Sequence, residues 1–254
     1  MHVIAVDWSG KLKRAEEFIW LADVCDGELV ALENGRTGEQ LVEHLIALAE
    51  DHPQTLIGLD FAFSFPRWWC AEQGWREARE VWGAMAVDGE RLLDECEPPF
   101  WGRPGKPNPH PDDRRYRRTE LIDATGAKSV FQIGGAGAVG TGSVRGMTHL
   151  RALSFAGFDI WPFGASGWPR VVEIYPRALT GPVNKSSWRK RHALLHERFP
   201  TQSATLLERA AGSEDAFDAA VSALAMAQYT DELTTLSATS DQCLAIEGKI
   251  WKPA

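Results

Sequence analysis

The chain has 254 residues, a formal net charge of −8, 44% apolar and 24% charged side chains, so one full hydrophobic core is within reach without disulfide or metal staples. This composition excludes intrinsic disorder over most of the length, and the acidic balance argues against a dedicated nucleic-acid coat protein. The charge is nevertheless bipolar: residues 100–120 carry six basic side chains against three acidic, residues 185–198 carry five against one, and the remainder sums to −15. Five of the eleven Trp (Trp68, Trp69, Trp75, Trp82, Trp101) fall within 34 residues. Four cysteines, Cys25, Cys70, Cys96 and Cys243, lie far apart with no Cys-x-x-Cys, which reads as free thiols in a reducing compartment. The chain enters a strand-like run at once, without a basic leader or cleavage site, and no run approaches the ~18 apolar residues of a membrane span. The expectation is a cytoplasmic protein without a membrane partner.

In chain order, 2–8 is an apolar, β-branched run followed by the turn signal Ser9-Gly10-Lys11. Residues 17–24 and 28–34 predict two further strands joined by Asp26-Gly27, a hairpin signal. Thr37 caps a predicted helix over 38–50, and the nearly continuous apolar run 55–66 predicts a central strand buried on both faces. The order β-β-β-α-β thus predicts a hairpin-bearing sheet that a helical crossover returns to in parallel. Residues 67–120 hold the Trp cluster, a helix-compatible stretch at 75–94, and six Pro within 98–111 that preclude regular structure. They read as a loop or small subdomain inserted over one end of the sheet, and as its most mobile element. Beyond it come a helix over 143–156, strands over 158–163 and 170–176, a basic amphipathic helix over 184–199, an Ala-rich helix over 213–230 capped by Ser213, and a final strand in the tail. The predicted class is α/β: a mixed sheet, antiparallel over its first three strands and parallel thereafter, flanked by helices in a single domain spanning 1–254, with a Trp/Pro-rich insertion at 67–120.

Acidic residues recur at strand ends and in the first turns of the late helix: Asp7, Asp60, Glu173, and the pair Asp215 and Asp218, which share one helix side at i, i+3. If the strands of Asp7 and Asp60 are adjacent and parallel, their carboxylates converge at one sheet edge, and the late helix can bring Asp218 across. Several carboxylates together demand neutralisation, and hard cations such as Mg²⁺ or Mn²⁺ prefer such oxygen ligands. Two such ions ~3.5–4 Å apart can clamp both the attacking and the leaving oxygens of a phosphodiester.

The order of strand Asp, hairpin, helix, strand Asp, later strand Glu and then D-x-x-D-A on a helix resembles the ribonuclease H-like superfamily, and its last motif is similar to that of RuvC-type Holliday-junction resolvases. More narrowly, "VDWSGK", "GLDFAFSFP", "VVEIYPRAL", "DAFDAAVSALA" and the "EGKIW" tail resemble the DUF429 family of predicted RNase H-like nucleases, over most of the chain. The resemblance implies a metal-dependent phosphodiesterase acting on a nucleic acid or nucleotide, with Asp7, Asp60, Glu173 and Asp215 or Asp218 at the site. Ser9, Lys11 and the glycine loop would approach the scissile phosphate. Two other classes fit the opening half: a phosphotransferase or ATPase of the actin/sugar-kinase type, for which a second half-domain copy is missing from the sequence, and a non-catalytic nucleic-acid or nucleotide-binding module.

Competing motifs are weaker. Gly135, Gly137 and Gly140 match G-x-G-x-x-G, but no acid ends the next strand as a dinucleotide site requires, so a glycine loop feeding a helix N-terminus is expected instead. His192 and His196 have zinc-compatible i, i+4 spacing with no third ligand evident, and read as a basic surface helix. Arg117 and Arg118, with Arg103 and Lys106, either contact a phosphate backbone beside the stacking rings Trp101 and Tyr116 or pair with Asp112, Asp113 and Glu120. Arg67 beside the Trp cluster is a further candidate for a substrate anion. The Trp themselves favour packing over recognition, and adjacent Trp68 and Trp69 are not expected to face one core together.

Overall fold

The computed structural model describes residues 1–122, 126–164 and 166–253, with the backbone alone at Asp112 and Asp113. β1 (His2–Asp7), β2 (Trp20–Cys25) and β3 (Glu28–Glu33) form an antiparallel meander, with a short 3-10 turn at Ala15–Glu17 in its first connection. Asp26 and Gly27 both take positive φ, 49° and 87°, as the two-residue hairpin turn demands. α1 (Gly38–Asp51) starts at a capping box in which Thr37 and Gln40 each accept the other's backbone N–H, and it buries Leu41, Val42 and Leu45. It returns the chain to β4 (Thr55–Leu59), parallel to β1.

The apolar run from 55 does not stay a strand to 66. Ladder pairing ends just after Leu59, and side chains take over the backbone: Ser143 Oγ accepts the Ala62 N–H at 3.0 Å and the Glu173 carboxylate accepts the Phe63 N–H at 3.0 Å. The segment buries Phe63 and Phe65 and leads into α2 (Arg67–Glu72) and α3 (Ala78–Glu95). The proline-rich stretch carries no helix or strand beyond a single bridge from Trp101 to Gln132. α4 (Asp112–Arg115), α5 (Arg118–Ile122) and α6 (Gly140–Phe155) follow.

The Trp-rich stretch is packing. Phe65, Trp69, Phe100 and Phe131 form a mutually edge-on and stacked group with centroids 4.5–6.0 Å apart, and Trp82 donates its indole N–H to the Phe63 carbonyl at 2.8 Å. Contrary to the expectation for adjacent residues, Trp68 and Trp69 both reach Phe131, at 5.8 and 5.4 Å, because the ring sits between their directions on the turn of α2. This aromatic group is continuous with the core of the sheet.

The remaining elements are β5 (Asp159–Ile160), β6 (Arg170–Ile174), α7 (Pro176–Thr180), α8 (Trp188–Arg198), α9 (Ala204–Ala211), α10 (Glu214–Ala227), α11 (Thr230–Thr235), α12 (Leu244–Glu247) and β7 (Ile250–Trp251). The seven-stranded sheet has the order β3-β2-β1-β4-β6-β5, and β7 extends the same edge of β6 that β5 begins. Only β2 runs against the others. The molecule is therefore α/β, with a mixed sheet between two helical layers.

Strand alternation assigns the faces. Ile4, Val6, Ile57, Leu59 and Val171 pack in the layer of α1, α3 and α6. Val3, Ala5, Leu56, Val172 and Ile174 pack in the layer of α7, α9 and α10. α10 is buried along nearly its whole length and is rich in Ala, so it lies close on the sheet. Gly58 of β4 sustains that approach: a Cβ there would sit 2.6 Å from Met226 Sδ and 2.9 Å from an Ile174 methyl. Among the described residues no helix is long and apolar enough to cross a membrane, and all four cysteines are free thiols.

Candidate functional site

β1, β4 and β6 are adjacent and parallel, so their C-terminal ends share one sheet edge. Val6 and Leu59 are the last registered pair between β1 and β4, which sets Asp7 and Asp60 side by side one position further, and the Asp60 N–H continues the ladder to the Val6 carbonyl at 3.1 Å. By the same alternation both carboxylates belong to the α10 face. Ser213 caps α10 by accepting the Ala216 N–H at 3.0 Å, and one turn later Asp218 meets these two carboxylates, while Asp215 stands in the first turn.

The electrostatics follow from this crowding. Burial and then the neighbouring Asp60, Asp218 and Asp215 push the Asp7 carboxyl well above the usual carboxylate range. Burial, and next Asp218, push Asp60 up to about 8. Asp218 is raised by burial against the opposing pull of Lys185, and Asp215 by burial and by Glu214. Lys185, just before α8, pairs with Asp218 Oδ2; burial alone would lower its ammonium, but Asp218, Asp7 and Asp60 outweigh that and hold it above its ordinary value. The other oxygen of Asp218, Oδ1, is buried with no hydrogen-bond partner among the described residues. Lys185 thus answers Asp218, Asp7 and Asp60, while Lys11 is the larger opposing charge at Asp215.

Glu173 arrives at the same edge but one register step earlier, on the opposite face. Its two oxygens are taken by the Arg117 guanidinium at 2.5 and 2.8 Å, and the second also accepts the Phe63 N–H. Arg117 is 1% exposed and donates further to Glu120 at 3.0 Å and to the Glu247 carbonyl at 3.0 Å. Burial, opposed by Arg117, raises Glu120 to about 7. Asp7, Asp60, Asp215 and Asp218 are thus charge neighbours, while Glu173, which also acts on Asp60, is engaged in a bidentate buried ion pair.

A cavity of about 390 Å³ opens over this end of the sheet, lined by Ser9, Lys11, Asp60, Glu173, Tyr175 and Thr141 among others. The loop after β1 lies backbone to backbone against the start of α6, since a Cβ on Gly10 would sit 2.5 Å from the Gly142 nitrogen. Arg145 reaches back to the Gly10 carbonyl and pairs with Glu90 at 2.7 Å. α6 has no side-chain cap, and Thr141 and Gly142 of its first turn line the cavity, as an anion-receiving helix start would. Lys11 places its ammonium 3.0 Å from the Phe18 ring centre, with Asp215 among its charge partners.

The other expected binding residues lie elsewhere. Gly135 and Gly137 take positive φ, 78° and 75°, in an exposed loop outside the cavity lining that Gln132 ties through the Gly134 and Ala136 carbonyls. Arg67 and Arg118 also lie outside the lining; Arg118 pairs with Asp241 at 2.5 Å. The basic segment is largely answered by acids of the chain: Arg103 faces Asp94, Lys106 faces Glu97, and Arg114 pairs with Glu72 while stacking on Trp68. Pairing with Asp112 and Asp113 falls outside the described side chains.

Three contributors escape the sequence reading. Lys185 supplies the cation among the carboxylates, although nothing in "NKSSW" distinguishes it from surface lysines. Glu247 accepts the Arg67 N–H at 2.7 Å and the Arg118 N–H at 2.6 Å, so one carboxylate holds the starts of α2 and α5 together. His192 and His196 on α8 meet a third group after all, Glu208 on α9, in the one trio of His, Cys, Asp and Glu among the described residues whose ligating atoms lie within 4.8 Å of each other. No protein-family model, curated protein or solved structure matches the chain.

Proposed function

We propose that the protein is a divalent-metal-dependent nuclease of the ribonuclease H-like, DUF429 kind, hydrolysing a phosphodiester bond of a nucleic acid or nucleotide. The observation that carries this reading is the side-by-side pair Asp7 and Asp60 at adjacent parallel strand ends, faced by Asp218 with a buried, unpartnered Oδ1. The strand order, with only the second strand reversed, agrees with it.

The donor types suit Mg²⁺ or Mn²⁺, although no three of these carboxylates bring their ligating atoms within 4.8 Å of one another. All the groups are hard carboxylate oxygens, one of them orphaned, and the crowding that raises Asp7 and Asp60 exceeds what Lys185 offsets, so a metal would displace protons there. Asp7, Asp60 and Asp218 would hold the ion and Asp215 would stand beside it. Glu173 does not fit as a ligand because Arg117 and Phe63 occupy its oxygens, so in this reading it braces the segment that follows Asp60. When bound, the metal would neutralise the nest, polarise a phosphoryl oxygen and ease deprotonation of water. Ser9, Lys11 and the first turn of α6 would receive the non-bridging phosphate oxygens, and Tyr175 would border the same cavity.

The test pairs binding with turnover. Mn²⁺ and Mg²⁺ should raise the melting temperature of the wild type and not of Asp7→Asn, and labelled DNA, RNA and branched substrates should be cut only by the wild type with metal. Absence of any metal-induced stabilisation in the wild type would overturn the reading. ATP turnover without nucleic-acid cleavage would instead favour the phosphotransferase class.

A further inference from the structure

We propose that His192, His196 and Glu208 form a second metal site, for a borderline transition ion of the Zn²⁺, Co²⁺ or Ni²⁺ class, linking α8 to α9. It is independent of the carboxylate nest in both position and chemistry.

Its geometry begins with spacing. His192 and His196 are i, i+4 on α8, so their rings share one face, tilted by 34° with centroids 4.2 Å apart. Trp188, one turn earlier, lies 4.8 Å from the His192 ring and fixes it from the other side. Both Nε2 atoms point at the same oxygen of Glu208, at 2.7 Å from His192 and 3.6 Å from His196. The second separation is too long for a hydrogen bond, and His196 Nε2 is shielded from solvent with no partner. A single carboxylate oxygen therefore answers one imidazole and leaves the other unsatisfied. A cation accepting a lone pair from each of the three atoms resolves that conflict.

The chemistry selects the ion. Two imidazoles and a carboxylate suit Zn²⁺ and its neighbours and disfavour Mg²⁺ or Ca²⁺, which seek all-oxygen shells. Two His and one Glu are also a protein ligand set of zinc centres that keep one position open. The three side chains are partly exposed, 31%, 37% and 52%, so small rotations can bring the shielded His196 Nε2 and its two partners onto an ion from solvent.

The consequence is mechanical. Arg191, the residue before His192, donates to the Ala211 carbonyl at the end of α9 and to the Lys185 carbonyl. A metal joining α8 to α9 would stiffen the unit that presents Lys185 to Asp218.

The experiment uses the full, untagged chain stripped of metal. With excess Mg²⁺ present to occupy the carboxylate nest, Co²⁺ titration followed by visible absorption and calorimetry should show one site per chain with nitrogen/oxygen ligation and no thiolate charge-transfer band, displaced by Zn²⁺. The site should persist in Asp7→Asn, which separates it from the carboxylate reading. His192→Ala and His196→Ala each remove a direct ligand and should weaken Co²⁺ at least about tenfold, the lower end for disturbing even an outer partner; Glu208→Gln should weaken it without loss of fold. Equal Co²⁺ affinity in the His192→Ala/His196→Ala double variant, or no Co²⁺ binding by wild type, would overturn the proposal.

Discussion

Replacing Asp60 by Asn keeps the shape of the side chain and removes one charge from the crowded sheet edge. The folded protein holds Asp60 at about 8 against an ordinary 3.8, burial being the main cause. A carboxyl raised on folding binds more protons in the native than in the unfolded state. Its favourable contribution is therefore complete below pH ~4 and is lost as pH rises to ~8, where it levels off. The shift of about four units sets a ceiling of about 5 kcal/mol; solvent reaching the half-buried carboxylate and its coupling to Asp7 reduce the observable change to about 2–3 kcal/mol. In metal-free buffer, Asp60→Asn should match the wild type near pH 4.5 and exceed it at pH 8.5, by about 5–10 °C in melting temperature. Saturating Mn²⁺ should reverse the order, because a ligand at a hundredfold its Kd adds about 2.7 kcal/mol to a protein that binds it. Urea and thermal melts at the two pH values, with and without Mn²⁺, measure both effects. A variant less stable than wild type at pH 8.5 without metal, with an undiminished Mn²⁺ response, would refute the reasoning.

Three further substitutions probe separate parts of the edge. Glu173→Gln leaves the buried Arg117 short of its bidentate partner and should cost about 3–5 kcal/mol in urea unfolding while preserving the metal-induced shift; loss of the shift with little loss of stability would make Glu173 a ligand instead. Lys185→Met removes the cation on Asp218 and should destabilise the metal-free protein by about 1.5–3 kcal/mol, yet enlarge the stabilisation by Mn²⁺, as a thermal-shift titration reads directly. Gly58→Ala presses a methyl between Met226 and Ile174 and should cost about 1–3 kcal/mol, with weaker metal binding because α10 is pushed away from β4; an unchanged Mn²⁺ affinity would uncouple helix seating from the site.

The sheet was legible because its signals are local. Alternation, the Asp26-Gly27 turn and the Thr37 and Ser213 caps each specify an element within a few residues, and the parallel return of β4 follows from the length of α1. Strand-end acids were legible for the same reason: a carboxylate closing an apolar run stands out. What stayed hidden depends on partners far apart in sequence. The end of β4 at Leu59 is decided by Ser143 and Glu173, 81 and 110 residues from the N–H groups they accept. The roles of Glu247 and Glu208 arise only when the tail and α9 are packed in place, and the Glu173 face is set by a one-step difference in register that no strand pattern reveals.

Register also changes what the charge distribution means. The basic segment 100–120 was the natural place to look for contacts with an anionic polymer, yet Arg117 is spent inside the protein on Glu173 and Glu120, and Arg103, Lys106, Arg114 and Arg118 each face an acid of the chain. The residual positive charge near the cavity comes from Lys11, Lys128 and the start of α6, set against Asp60, Glu120 and the carboxylates behind it. A phosphate approaching that field is repelled until the nest is neutralised. Protons do this in the metal-free protein up to the range around 8 in which Asp60 titrates, and under the proposed function a divalent cation would displace them, so the two should compete for the same oxygens: Mn²⁺ affinity should rise with pH through that range and then plateau. An affinity that does not change between pH 6 and 9 would place the cation somewhere other than Asp7 and Asp60.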